Sequence, residues 1–139
     1  MSLVLLDTHT WVWLMHGSDR LGPKARKAIL RSVTDEAVLV SAISTWEVAM
    51  LVSKGRLVLD RDVGEWIGAA LSQPGVRLEA LSPEVAVAST RLPGTLHADP
   101  ADRILAATAR HLGAVLLTDD QLLLEYGKEG HIKTLKAGQ

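Results

Sequence analysis

Six acidic residues in this chain stand beside turn and helix signals rather than inside charged runs: Asp7, Glu47, Asp99, Asp102, Asp119 and Asp120. Carboxylates gathered in one place repel, and each raises the others' pKa. A divalent cation removes that conflict. Oxygen donors in a chain without Cys favour Mg²⁺ or Mn²⁺ over zinc. Such an ion keeps water ligands and meets phosphate oxygens, which is the equipment for hydrolysing a phosphodiester. The chemistry therefore depends on whether the fold brings these acids together.

The chain has 139 residues, enough for one domain over 1–139 with a real core. Hydrophobic residues make up 47%, yet there is no Phe and one Tyr, so Leu, Val, Ile, Ala and four Trp must fill the core. A net charge of -1 gives no global attraction to nucleic acid or to an anionic membrane, and any polyanion must meet a local patch. The absence of Cys excludes disulfides and thiolate chemistry. The N-terminus has no basic lead region, and Asp7 cuts its apolar run short, so neither a signal peptide nor a membrane span is expected. A cytoplasmic location fits.

The elements follow from local pattern. Leu3-Val-Leu-Leu6 and Ala37-Val-Leu-Val40 read as buried strands, 76–81 as a third and Ala114-Val-Leu-Leu117 as a fourth, with an edge strand at 132–135. Helices are expected between them: a short one at Trp11–Met15 stopped by Gly17, a basic one opened by Pro23, one over 44–53, one over 62–72, and one from Pro83 to about Arg91. Ser44-Thr-Trp-Glu47 has the spacing of a capping box, with Glu47 in the first helical turn. Asp99-Pro-Ala-Asp102 reads as N-cap, N1 proline and first-turn acid of a helix running to Leu112, closed by Gly113. Strands alternating with helices predict an α/β fold: three α/β/α layers around a mostly parallel sheet of four to five strands. In such sheets ligands bind beyond the carboxyl ends of the strands. Asp7, Glu47, Asp119 and Asp120 follow strands, while Asp99 and Asp102 start a helix that leads back into one. All six can share one edge.

In this order the motifs resemble those of the PIN-domain ribonucleases, and among them the VapC-type toxins of VapBC toxin–antitoxin pairs. The matching stretches are Leu-Leu-Asp7-Thr-His-Thr-Trp, Ser41-x-x-Ser-x-Trp-Glu47, His97-x-Asp-Pro-x-Asp102-Arg-x-Leu-Ala-Ala-Thr-Ala and Leu-Leu-Thr118-x-Asp120. The resemblance implies a PIN-like fold and a Mg²⁺- or Mn²⁺-dependent endoribonuclease, the toxin of a type II pair. It also implies a homodimer and a VapB-type antitoxin partner. Carried over position by position, Asp7, Glu47, Asp102 and Asp120 are the family's four acids. Asp99 is a further ligand or only a cap, and Thr118 a supporting hydroxyl.

Each residue also has a plainer role. Glu47 can complete a cap with Ser44, Asp102 can answer the helix dipole, and Asp119 can be a solvated acid. The five histidines lack zinc spacing; His97 is expected to orient Asp99 or touch a neighbour. The tryptophans are expected in the core or at an interface rather than as base-stacking platforms. Lys54, Arg56 and Arg103 can meet RNA phosphates; for Lys54 a helix C-terminus is the better reading, and Arg103 can instead pair with an acid. Two other functions compete. A haloacid-dehalogenase-type phosphatase needs a second acid two positions after the first, where this chain has His9. A catalytically inactive PIN-like binding module would not need all the acids that this chain retains.

Overall fold

The computed structural model describes residues 3–139. The elements run β1 (Val4–Leu6), α1 (Thr8–His16), α2 (Pro23–Val33), β2 (Val38–Ser41), α3 (Ala42–Ser53), α4 (Val63–Leu71), β3 (Val76–Glu79), α5 (Pro83–Ala88), α6 (Pro100–Leu112), β4 (Val115–Thr118), α7 (Gln121–Lys128) and β5 (Lys133–Lys136). The strands form one sheet in the order β3-β2-β1-β4-β5, with every pairing parallel. The expected mostly parallel sheet is thus parallel throughout.

Strand alternation sorts the core into two layers. Val4, Leu6, Val38, Val40 and Leu117 face α1, α2 and α4, packing against Trp11, Ile29 and Trp66. Leu5, Leu39 and Leu116 point the other way, against Leu105, Ala106 and Ala109 of α6 and Leu123 and Tyr126 of α7. β1 is buried along its whole length, as expected of a central parallel strand with helices on both faces. Leu5 is fully buried, and truncating such a side chain to Ala costs roughly 2–5 kcal/mol.

The chain winds outward from β1 to β2 and β3, then returns to place β4 and β5 on the other side of β1. The reversal falls between β1 and β4, where their carboxyl ends part and leave a crevice. Register brings those ends level, with Leu6 opposite Leu117. Two bonds tie the crevice floor: Asp7 N–H donates to Leu117 O (3.1 Å), and Thr10 Oγ1 donates to the same carbonyl (3.1 Å).

Several expected boundaries move. α1 starts at Thr8 with Asp7 as its N-cap, so Thr8 and Thr10 lie inside the helix. α3 begins at Ala42, capped by Ser41, whose Oγ accepts from Ile43 N–H at 3.1 Å. Ser44 is therefore not the cap, and Glu47 lies in the second turn. α5 stops at Ala88 rather than near Arg91. The reading of the long helix holds: Asp99 caps α6, Pro100 opens it, and Gly113 closes it with φ 65°. A left-handed φ of that size is where glycine is preferred.

Candidate functional site

Three helices point their N-termini into the crevice, and each is capped by an aspartate. Asp7 Oδ1 accepts from Thr10 N–H (2.9 Å), Asp99 Oδ1 from Ala101 N–H (3.0 Å), and Asp120 Oδ1 from Leu123 N–H (3.0 Å). A helix N-terminus carries partial positive charge and orphan N–H donors, so an acid is favoured there. Local sequence alone thus anchors three of the six acids, and the sheet reversal makes their helices meet.

The other contacts come from distant parts of the chain. Thr118 is fully buried at the end of β4; its hydroxyl donates to Asp7 Oδ2 and accepts from Asp120 N–H at 3.0 Å. Glu47 reaches in from α3, its Oε1 accepting from Thr8 Oγ1, which also lies 3.0 Å from Ser44 Oγ. Asp102 sits in the first turn of α6, and its Oδ2 is 2.7 Å from His97 Nε2. One ligand atom from each of His97, Asp102 and Asp120 lies within 4.8 Å of the others. Asp7, Glu47, Asp99, Asp102, Asp119 and Asp120 all line a single cleft of about 320 Å³. The structure therefore brings together all six acids singled out from the sequence.

The electrostatics follow chiefly from burial, to which neighbouring acids add at Glu47 and Asp102. Burial raises the Asp7 carboxyl above its ordinary range, opposed by the Thr118 hydroxyl and the Thr10 N–H. Burial also raises Glu47, opposed by Thr8 and reinforced by Asp99 and Asp7. Asp102 is pushed up to about 6, chiefly by burial, with further pressure from Asp99 and Asp120 and relief from His97. Such raised carboxylates are a site short of positive charge. The donor set fits a hard divalent cation: carboxylate oxygens lining one cleft and hydrogen-bonded by hydroxyls and N–H groups.

A model of the PIN domain matches residues 4–129. The chain belongs to the PIN-domain family. This PIN domain is 35% identical over 123 residues to Ribonuclease VapC22 of Mycobacterium tuberculosis, covering 88% of this chain and 91% of that protein. Its fold is shared with VapBC2 from Rickettsia felis, solved bound to a promoter DNA fragment (TM-score 0.70, 15% identity, 96% and 98% of the two chains). DNA-bound VapBC from Salmonella typhimurium (TM-score 0.69, 16%, 98% of each chain) and FitAcB from Neisseria gonorrhoeae (0.62, 21%, 97% and 98%) are also similar. PIN nucleases generally use a divalent metal, and an acidic cluster is present in this chain.

The remaining expectations fare differently. Of the two roles expected of His97, it takes the second: it contacts Asp102 rather than orienting Asp99, because the loop before α6 folds back over the first turn of the helix. Its Nδ1 is buried without a hydrogen-bond partner. Arg103 meets neither an acid nor open solvent alone: Nε donates to Ser89 O and Nη1 to Leu96 O, each at 2.9 Å, fastening the loop that carries His97. Asp119 is exposed but not simply solvated, since it accepts from Gly138 N–H at 2.9 Å. Lys54 is the C-cap of α3, as its preferred reading had it, and neither it nor Arg56 lines the cleft. Residues that sequence reasoning did not assign to the site are Thr8, read only as a capping type, and His9, Trp13 and Leu105, which line the cleft. The one signal for the first three was position: they follow Asp7 at the start of α1, the helix whose N-terminus enters the crevice.

Proposed function

We propose that this chain is a Mg²⁺- or Mn²⁺-dependent endoribonuclease, the toxin of a type II toxin–antitoxin pair. The observation that carries the reading is the convergence of Asp7, Glu47, Asp99, Asp102 and Asp120 in one cleft at the sheet reversal. The family and the 35% identity to a VapC ribonuclease support it. Asp7, Glu47, Asp102 and Asp120 would hold the ion, with Asp99 at the rim as cap and further donor. A bound divalent cation supplies an activated water and charge neutralisation at the scissile phosphate. The chain's own residues position the donors. Thr118 locks Asp7 and the backbone of Asp120 together, Thr8 aims Glu47, with Ser44 beside it, and His97 holds Asp102. Arg103 steadies the His97 loop from behind. No separate side-chain base is assigned.

The same reading includes a VapB-type antitoxin, a homodimer and a cytoplasmic location. Apolar side chains such as Trp46, 57% exposed on α3, leave surface for such partners. Among the described residues, no helix is long and apolar enough to cross a membrane. The test is direct. Protein freed of any antitoxin should cleave single-stranded RNA with Mn²⁺ or Mg²⁺ and stop when EDTA is added. Cleavage undiminished in EDTA, or none with either ion, would sink the reading.

A further inference from the structure

The cleft presents a difficulty to its own substrate. RNA is a polyanion, and the lining is dominated by carboxylates, so phosphate attraction cannot hold the strand once it leaves the ion. The lining side chains that are not carboxylates are Thr8, His9, Trp13 and Leu105. Thr8 is buried and engaged with Glu47, and Leu105 is 1% exposed. What remains accessible is His9 and half-buried Trp13, one helical turn apart on α1. Their rings are 6.5 Å apart and tilted by 52°. The Arg20 guanidinium lies 5.9 Å from the centre of the Trp13 ring. The other tryptophans are placed otherwise: Trp11 and Trp66 pack edge to face in the core, and Trp46 does not line the cleft.

We infer that Trp13, with His9 beside it, is a stacking platform for a nucleobase of the bound strand. An aromatic face carries no net charge, so the acids do not oppose it, and every base has a π-face to offer. This goes against the expectation that the tryptophans serve only core or interface. It rests on the RNA-cleaving reading, because it names how the same cleft holds its strand.

Trp13 also packs against the core, so the test must separate stacking from folding. Adenosine 5′-monophosphate and ribose 5-phosphate share a phosphate and a sugar and differ by the base, and neither has a diester to cut. Calorimetric titration in Mg²⁺ should show the parent binding the nucleotide about tenfold more tightly than the sugar phosphate. Trp13→Leu should bind the two alike, while Trp13→Phe keeps most of the difference. His9→Ala, at an exposed position, should narrow it two- to threefold without lowering the melting temperature. If Trp13→Leu keeps the full difference, or the parent shows none, the platform is refuted while RNA cleavage by the same preparation leaves the nuclease reading intact. If the parent cleaves no RNA, both fall together.

Discussion

The hydroxyl of Thr118 donates to the Asp7 carboxylate from 111 positions away in sequence, joining the ends of β4 and β1 across the sheet reversal. The same oxygen accepts from Asp120 N–H, so one fully buried side chain sets two of the cleft's acids. Thr118→Val should leave the Asp120 N–H and Asp7 without that partner. A loss of about 1–3 kcal/mol in urea unfolding is expected, with Thr118→Ser close to the parent. Equal stability of the Val variant would mean that the hydroxyl positions nothing.

Asp7→Asn should separate charge from cap. Asn still accepts from Thr10 N–H at an N-cap, and it removes a charge that burial disfavours. The metal-free variant should melt at or above the parent, lose at least tenfold in Mn²⁺ affinity by calorimetry, and fail to cleave RNA. Parental cleavage by this variant would show that the acid is not a ligand.

Asp99 and Asp102 should part in the same way. Asp99→Ala removes the cap on α6 and should cost about 1 kcal/mol, while Asp99→Asn restores it. Asp102→Asn should hold or raise the stability of the metal-free protein at neutral pH and weaken Mn²⁺ binding. If Asp99→Asn weakens Mn²⁺ binding as much as Asp102→Asn, Asp99 is a ligand as well as a cap.

The pH dependence has a definite sign. Asp102 is pushed up to about 6 from an ordinary 3.8, mainly by burial. Its native state therefore binds more protons than the unfolded chain between those values. Its contribution to the stability of the metal-free protein is fully present below about pH 4 and is lost as pH rises through about 6, by at most about 1.4 kcal/mol per pH unit. A divalent cation requires the deprotonated form, so the rise in melting temperature on adding Mn²⁺ should be larger at pH 7.5 than at pH 5.5. An increment that does not change with pH would remove Asp102 from the site.

Local chemistry made part of this molecule legible in its sequence. Asp99-Pro100 and Gly113 bound α6 through capping and backbone preferences that need no neighbours. The strands showed as apolar runs because both faces of the sheet are covered. The capping box at Ser44 misled for the opposite reason. Ser41 takes the cap three residues earlier, and the Ser44 hydroxyl is engaged by Thr8, 36 residues distant. The His97 pairing with Asp102 depends on how a loop folds back, and Arg103 is absorbed by carbonyls of that loop. Neither has a periodic or compositional signature. Trp13 was hidden by a general rule, since a large apolar residue at helical spacing is usually packed, and here it is half packed and half at the cleft mouth.

Three of the cleft's acids, Asp7, Asp99 and Asp120, are also the caps of α1, α6 and α7, whereas Glu47 and Asp102 cap nothing. Descendants that abandoned cleavage would feel this division unequally. Folding alone would still hold the three capping positions to Asp, Asn, Ser or Thr. At Glu47 and Asp102 relief of a buried, repelled charge would favour neutral replacements. The loss of nuclease activity in this lineage should therefore be written first at positions 47 and 102, and an aspartate surviving at position 99 or 120 is poor testimony that a relative still cuts RNA.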